Sequence, residues 1–348
     1  MALVVSWFGT DLRAGHCRIL PGVEVPHRDD ESSPWSVAGF TRADAHTVSR
    51  HGGGPAYGGT PSDDSLLQAI ADLKARGLEV YLYPFLMMDV PQGNGLPDPH
   101  GGAEQASYPW RGRITCHPAP GRPGTVDQTA TARSQVAAFA EDADGYRRMV
   151  LHYAGLAAVA GGVDGFLIGS ELRGLSQLRD EAGRFPFVEE LVQLAEDVRT
   201  MLGSQAKLTY GADWSEYFGY HPQDGSGDVF FHLDPLWASP AINAVGIDNY
   251  MPLADWRDED LASAIPRASV SPRMAGHCGR RSRRARGSTG TMQAMRIEPH
   301  AFGRRSPTGR RASPGCSGPK IWPAGGRIII MIASAARRWR SRPAGNRR

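Results

Sequence analysis

Cysteine is scarce: four in 348 residues (Cys17, Cys116, Cys278, Cys316), with no CxxC pair and no His-Cys spacing. A disulfide framework and a cysteine-based metal site are therefore not signalled. The eleven histidines form no HExxH or other paired spacing, so neither a metal nor another cofactor is expected. No apolar run approaches the ~20 residues of a membrane-spanning helix. The opening MALVVSWFGTDLR lacks a basic leader, and its apolar run is too short and too early for a signal peptide. The expectation is a protein synthesised in the cytoplasm, without a signal peptide and without a membrane span. GGGPAYGG lacks the Lys-Ser/Thr of a phosphate-binding loop and reads as a turn.

The far end of the chain lacks more. After Leu261 there is no further Leu, Tyr or Asp. From residue 261 onward nineteen arginines and Lys320 face a single acid, Glu298, whereas the first 260 residues hold 35 acids against 19 bases. The formal net charge of +3 thus averages two unlike polymers, and no specific nucleic-acid partner follows from it. Residues 259–348 are expected to be a disordered, Arg-rich tail. The run Ile328–Ile332 implies repeated ATC-like codons. Read one base earlier with GC-rich codon choices, this stretch becomes approximately Asp-Leu-Ala-Gly-Trp-Trp-Ala-His-His-His-His-Asp, which reads as ordinary protein, so an out-of-frame translation is expected.

What is present lies in the first 260 residues, where strand and helix signals alternate. ALVVSWF (2–8) and EVYLYPF (79–85) are short apolar runs suited to strands buried on both faces. Between them Thr60 as N-cap, Pro61 at the first helical position and Asp63 announce a helix with Leu66, Ile70 and Leu73 on one stripe, stopped by Gly77. The stretch 89–135 is too long for a plain connection and carries YPWRGR. Helical patterns at about 141–160 and 187–202 flank DGFLIGSEL, and AKLTYGADW (206–214) and INAVGIDNYMPL (242–253) follow. Strand, helix, strand at this spacing implies parallel strands with right-handed crossovers, compatible with a (βα)8 barrel or a doubly wound sheet. Asp89, Glu171, Asp213, Asp248 and Asn249 fall at strand ends, the rim on which such barrels place their sites.

GGTPSDDSLLQAIADLKARGLEVYLYPFLMMDVP, YPWRGRIT, DGFLIGSEL and GIDNYMPL together resemble the glycoside-hydrolase-like TIM-barrel domain of gene transfer agent and phage tail-tip (host-specificity) proteins. More distantly, GSEL and IDNYMPL are similar to β-mannanase-type retaining glycosidases. The resemblance implies an α/β (βα)8 TIM barrel over residues 1–258, incomplete because later strands are missing. By strand count, either a short strand hides near WSVAGF or the chain enters the barrel at its second strand. It implies that Glu171 is the catalytic acid/base, and that Trp110, Arg111, Asp213, Trp214, Asn249 and Tyr250 contact substrate. The expected partners are a cell-envelope polysaccharide or peptidoglycan and other tail proteins of a phage-like particle, with particle association in intact relatives.

Glycoside hydrolysis needs two carboxyl groups flanking the scissile bond. The second glutamate of such enzymes sits in a TEXG-like motif, and no such motif occurs here; Glu298, in RIEPH, is in nothing like it. A glycosidase-like tail component that binds glycan without cleaving it is therefore expected, with hydrolysis reserved for intact relatives. The alternative is a non-catalytic structural or glycan-binding tail module. The bland readings stay open at this stage: Glu171 as a loop or helix-capping acid, Trp110 packed over a helix with Arg111 reaching to water, Asp89 as a loop cap. Because adjacent strand residues face opposite ways, only one of Asp248 and Asn249 can enter the barrel mouth; Asn249 is the favoured one.

Overall fold

A computed structural model describes residues 1–28 and 33–248. The Arg-rich stretch 259–348, with Glu298, and the predicted site residues Asn249 and Tyr250 lie outside the described residues.

Four parallel strands follow one another across the main sheet: β1 (Ala2–Gly9), β2 (Tyr81–Met88), β3 (Gly165–Ser170) and β4 (Lys207–Asp213). A fifth, β5 (Gly246–Asp248), lies beside β4, and Ile19–Leu20 pairs antiparallel on the far side of β1. From β1 to β5, with the antiparallel Ile19–Leu20 set aside, spatial order equals chain order, with no reversal. A doubly wound sheet reverses its order at a switch point, whereas a (βα) barrel advances in this way. The β3 burial pattern is uniform, all six residues being buried, as expected for a strand covered on both faces.

β1 and β2 pair directly along eight residues, from Ala2 opposite Tyr81 to Gly9 opposite Met88. No strand stands between them, so WSVAGF does not supply one. Ser36–Val37 and Phe40–Thr41 instead form a small antiparallel hairpin apart from the main sheet. Glu171 accordingly follows the third strand of the parallel run.

Helix α1 (Asp63–Ala75) begins two residues later than its sequence signals predict. Ser62, not Thr60, is the N-cap and accepts from the Ser65 amide. Thr60 is buried, with its hydroxyl donating to the Ser6 carbonyl at 2.7 Å and accepting from Gly22 N at 2.9 Å. Tertiary bonds have taken the cap. The helix predicted at about 141–160 is α3 (Tyr146–Val159), and a further helix, α2 (Ala130–Glu141), precedes it, beginning inside the predicted loop. A short helix α4 (Arg173–Ser176) and α5 (Pro186–Leu202) connect β3 to β4, while α6 (Trp214–Tyr217) and α7 (Asp234–Ala238) follow β4. Phe139, Tyr146 and Phe187 pack ring against ring where α2, α3 and α5 meet, and all three are buried.

The remainder of the long 89–135 loop is pinned to the end of β1. Gln105 accepts from Leu12 N at 2.8 Å and donates to Asp11 at 2.7 Å, with all three residues buried. This anchorage brings YPWRGR to the C-terminal ends of the strands.

Candidate site at the strand ends

The sheet is irregular where the site begins. Pairing between β3 and β4 shifts register between Leu167 and Ser170, and a bulge of this kind re-aims the side chains that follow it. Gly169 sits there with φ +156°, and a Cβ on it would lie 2.1 Å from the Tyr146 hydroxyl. That hydroxyl donates to the Ile168 carbonyl at 2.9 Å, so glycine is required both by the backbone and by the close approach. Two residues on, Glu171 adopts φ +53°, in the left-handed region that side-chain-bearing residues avoid. The cost is about 1–2 kcal/mol, and such strain persists only where the surroundings enforce it.

The enforcing contacts are visible. Glu171 is only 3% exposed. Its Oε2 accepts the Trp110 indole N–H at 2.7 Å and lies 3.0 Å from Arg111 Nη2. Its backbone N–H donates to the Gly211 carbonyl on β4 at 2.9 Å. Its other oxygen, Oε1, is buried without a hydrogen-bond partner among the described residues. An unsatisfied carboxylate oxygen is costly to bury, and this one retains the capacity to accept from an incoming donor.

Arg111 opens a 3-10 turn, Arg111–Arg113, that aims its guanidinium inward. Nε donates to the Ser170 carbonyl at 2.9 Å and Nη2 to Ser170 Oγ at 2.8 Å, while the group stacks 3.9 Å over the Phe85 ring. Ser170 Oγ also accepts from the Tyr83 hydroxyl. Arg111 is buried; it does not reach out to water, and the bonds it makes are to Ser170 and Glu171. Trp110, by contrast, is 38% exposed. Its ring lies against Gly112, where a Cβ would come within 2.4 Å of the indole, so Gly112 leaves room for the ring. The result is an aromatic surface half open to solvent and fixed by its own N–H.

Asp213 ends β4, the neighbouring strand, and is buried. Burial raises its pKa above the usual carboxylate value; the nearby Glu171 charge adds to this, and hydrogen bonds from Ser215 oppose it. Asp213 also caps α6: its carboxylate accepts from Ser215 N at 2.9 Å, and Glu216 in return accepts from Asp213 N at 2.8 Å. Trp214 is half-exposed and meets Phe218 edge to face.

Of the predicted residues, then, Trp110, Arg111 and Glu171 are in direct contact, Asp213 is close enough to feel the Glu171 charge, and Trp214 follows Asp213 in the chain with its ring against Phe218. Asp89 is buried and engaged by His46 and Ser49. Burial would raise its pKa, but those hydrogen bonds outweigh it and hold the carboxyl below its ordinary value. Among the described residues no group of three or more His, Cys, Asp or Glu could hold a metal, and no helix is long and apolar enough to cross a membrane.

Sequence reasoning passed over Ser170, Tyr83 and Glu216. Tyr83 was signalled by alternation, since Tyr81, Tyr83 and Phe85 share a face of β2. Glu216 was signalled by its spacing from Asp213, an acid three residues after an N-cap.

The fold is α/β with a parallel sheet, of TIM-barrel-like type. Over residues 144–274 the chain matches the GTA TIM-barrel-like domain. Among solved structures it is distantly similar to GH113 β-mannanases. A GH113 β-1,4-mannanase complex aligns at 17% identity and a TM-score of 0.36, covering 75% of this chain and 55% of that one. AaManA from Alicyclobacillus acidocaldarius aligns at 16% identity and a TM-score of 0.37, covering 74% and 53%. The chain therefore spans about half the length of these mannanases. No curated protein sequence matches it.

Proposed function

We propose that this chain is a glycan-binding component of a gene-transfer-agent or phage-like tail, taking a cell-envelope polysaccharide or peptidoglycan at the strand-end rim around Glu171. The observation that carries the reading is the Trp110 indole, half-exposed and tied by its N–H to a buried carboxylate with one oxygen unsatisfied. An aromatic face stacks on the apolar face of a pyranose, and Glu171 Oε1 is an acceptor for a sugar hydroxyl beside it. The GTA TIM-barrel-like domain supports the particle context, with other tail proteins as neighbours.

Hydrolysis by this polypeptide is negligible on this reading, because the sequence holds no TEXG-like motif to give Glu171 a partner glutamate and Glu171 Oε2 is committed to Trp110 and Arg111. The Arg-rich stretch after Leu261 is, in the same proposal, the product of a shifted frame. The nucleotide sequence around codons 256–275 tests that, and a single frame without coding signal one base earlier refutes it.

The binding test uses the full chain with isolated envelope polysaccharide and peptidoglycan sacculi. Sedimentation binding is expected to fall at least about tenfold in Trp110→Ala, the worth of one stacking platform, with no release of reducing ends by the wild type. Equal binding by Trp110→Ala, or no binding to either glycan, overturns the reading. Asp213 supports a second reading, since it is a buried acid on the adjacent strand that senses Glu171. Turnover that disappears in both Glu171→Gln and Asp213→Asn would select a hydrolase built on this pair.

A further inference from the structure

Beneath the rim lies a buried acid that the glycan site does not use directly. Glu216 is 1% exposed, and among the described residues no Lys or Arg pairs with it. Instead it collects three neutral donors from three places. Ser176 Oγ on α4 donates to Oε1 at 2.6 Å. The Asp213 amide at the end of β4 donates to Oε2 at 2.8 Å. The Tyr210 hydroxyl, from within β4, donates to Oε1 at 3.2 Å.

Tyr210 has a second partner. Its oxygen accepts the backbone N–H of Leu172 at 2.7 Å, and Leu172 is the residue immediately after the strained Glu171. A phenol that accepts from an amide and donates to a carboxylate is polarised in one direction, which strengthens both bonds. Glu216 thus touches both acid-bearing strand ends: directly at Asp213, and through Tyr210 at the turn that holds Glu171 in its left-handed conformation.

We propose that Glu216 is a positioning residue of the rim site, its carboxylate fixing the Glu171 turn through Tyr210 and the end of β4 through the Asp213 amide. This rests on the rim being the ligand site. An ionised Glu216 can accept all three bonds at once. A protonated one must turn its own O–H on one of these partners and give up an acceptor. Burial pushes Glu216 up to about 7, with hydrogen bonds from Ser176 and Asp213 N opposing and the Asp213 charge adding, so the two states interchange near neutrality.

The ionisable neighbours are few. Asp213 and Tyr210 face it from β4. His232 lies across Ser176, its Nε2 3.2 Å from that hydroxyl, in the segment leading into α7. The charge of Arg173, on α4, is felt by Asp213 and His232.

The test is amide hydrogen exchange at Leu172, resolved by residue in the full chain at pH 6 and pH 8.5 and corrected for intrinsic rate. Wild type is expected to protect Leu172 about tenfold better at pH 8.5, the worth of one bond strengthened by charge. Tyr210→Phe removes the protection at both pH values, and the near-isosteric Glu216→Gln removes the pH step. Asp213→Asn and His232→Gln keep the step, which separates Glu216 from its titrating neighbours. No pH step in wild type, or the same step in Glu216→Gln, overturns the proposal, and the wild-type measurement stands even where Tyr210→Phe fails to fold. A step at Leu172 in a chain that binds neither glycan leaves the positioning role standing and refutes the glycan reading.

Discussion

Burying a carboxylate beside a guanidinium strips both of water, and their attraction offsets that loss only while both are present. Glu171 and Arg111 are such a pair, with side chains 4% and 8% exposed. Arg111→Ala should cost about 3–5 kcal/mol in urea unfolding, because it strands the Glu171 charge. In a Glu171→Gln background the same change should cost clearly less, and equal costs in the two backgrounds would show that the pair is not coupled.

A second pair sets the response to pH. Glu216 is pushed up from 4.5 to about 7 by burial, so its stabilising contribution is complete below pH 4.5 and lost as pH rises to 7. His232 is pushed down from 6.5 to about 4 by burial, so its contribution is complete above pH 6.5 and lost as pH falls to 4. The two slopes oppose each other between pH 4.5 and 6.5 and hide one another in the wild type. Glu216→Gln should therefore reveal stability that rises with pH across 4–6.5, and His232→Gln stability that falls across 4.5–7. Each excursion is on the order of 3 kcal/mol; chemical denaturation at several pH values measures them, and unchanged slopes in both variants would contradict the assignment.

At the scale of elements, the strands were legible because a parallel strand buried on both faces must be an unbroken apolar run, as GFLIGS is in β3. The rim acids were legible for the same reason, being the first polar residues after those runs. Boundaries decided by distant partners were not. Thr60 has the chemistry of a cap, but nothing local reveals that Ser6 and Gly22 claim its hydroxyl. Likewise the inward turn of Arg111 depends on Ser170 and Phe85, far away in sequence. The distinction can be measured. Ser62→Ala should cost about 1 kcal/mol, the usual value of a cap. Thr60→Ala should cost more, about 2 kcal/mol or above, since it also leaves the buried Gly22 amide without its acceptor. The reverse ranking by thermal denaturation would return the cap to Thr60.

For the whole molecule, the separation of charge along the chain matters more than its sum. Thirty-five acids against nineteen bases in the first 260 residues, followed by twenty bases and one acid, make each chain a complement to its neighbour as well as to itself. At low ionic strength such chains attract one another despite a formal net charge of only +3. Light scattering should show association in ~10 mM salt that disperses near 0.5 M, where the Debye length falls to a few ångströms. Association unaffected by salt would point to apolar contacts instead.

The left-handed backbone at Glu171 also has a meaning for selection. Glycine adopts that conformation freely and asparagine at little cost, whereas glutamate is held there against its preference. Let positions 111 and 171 vary together, so that no charge is left stranded, and sort the variants on heat resistance alone: glycine and asparagine should accumulate at 171. Sorted on ligand capture, the same library should return glutamate. At Phe166, buried within β3 five residues earlier, both sorts should agree. A position at which the two sorts diverge is one that the fold tolerates and the ligand requires.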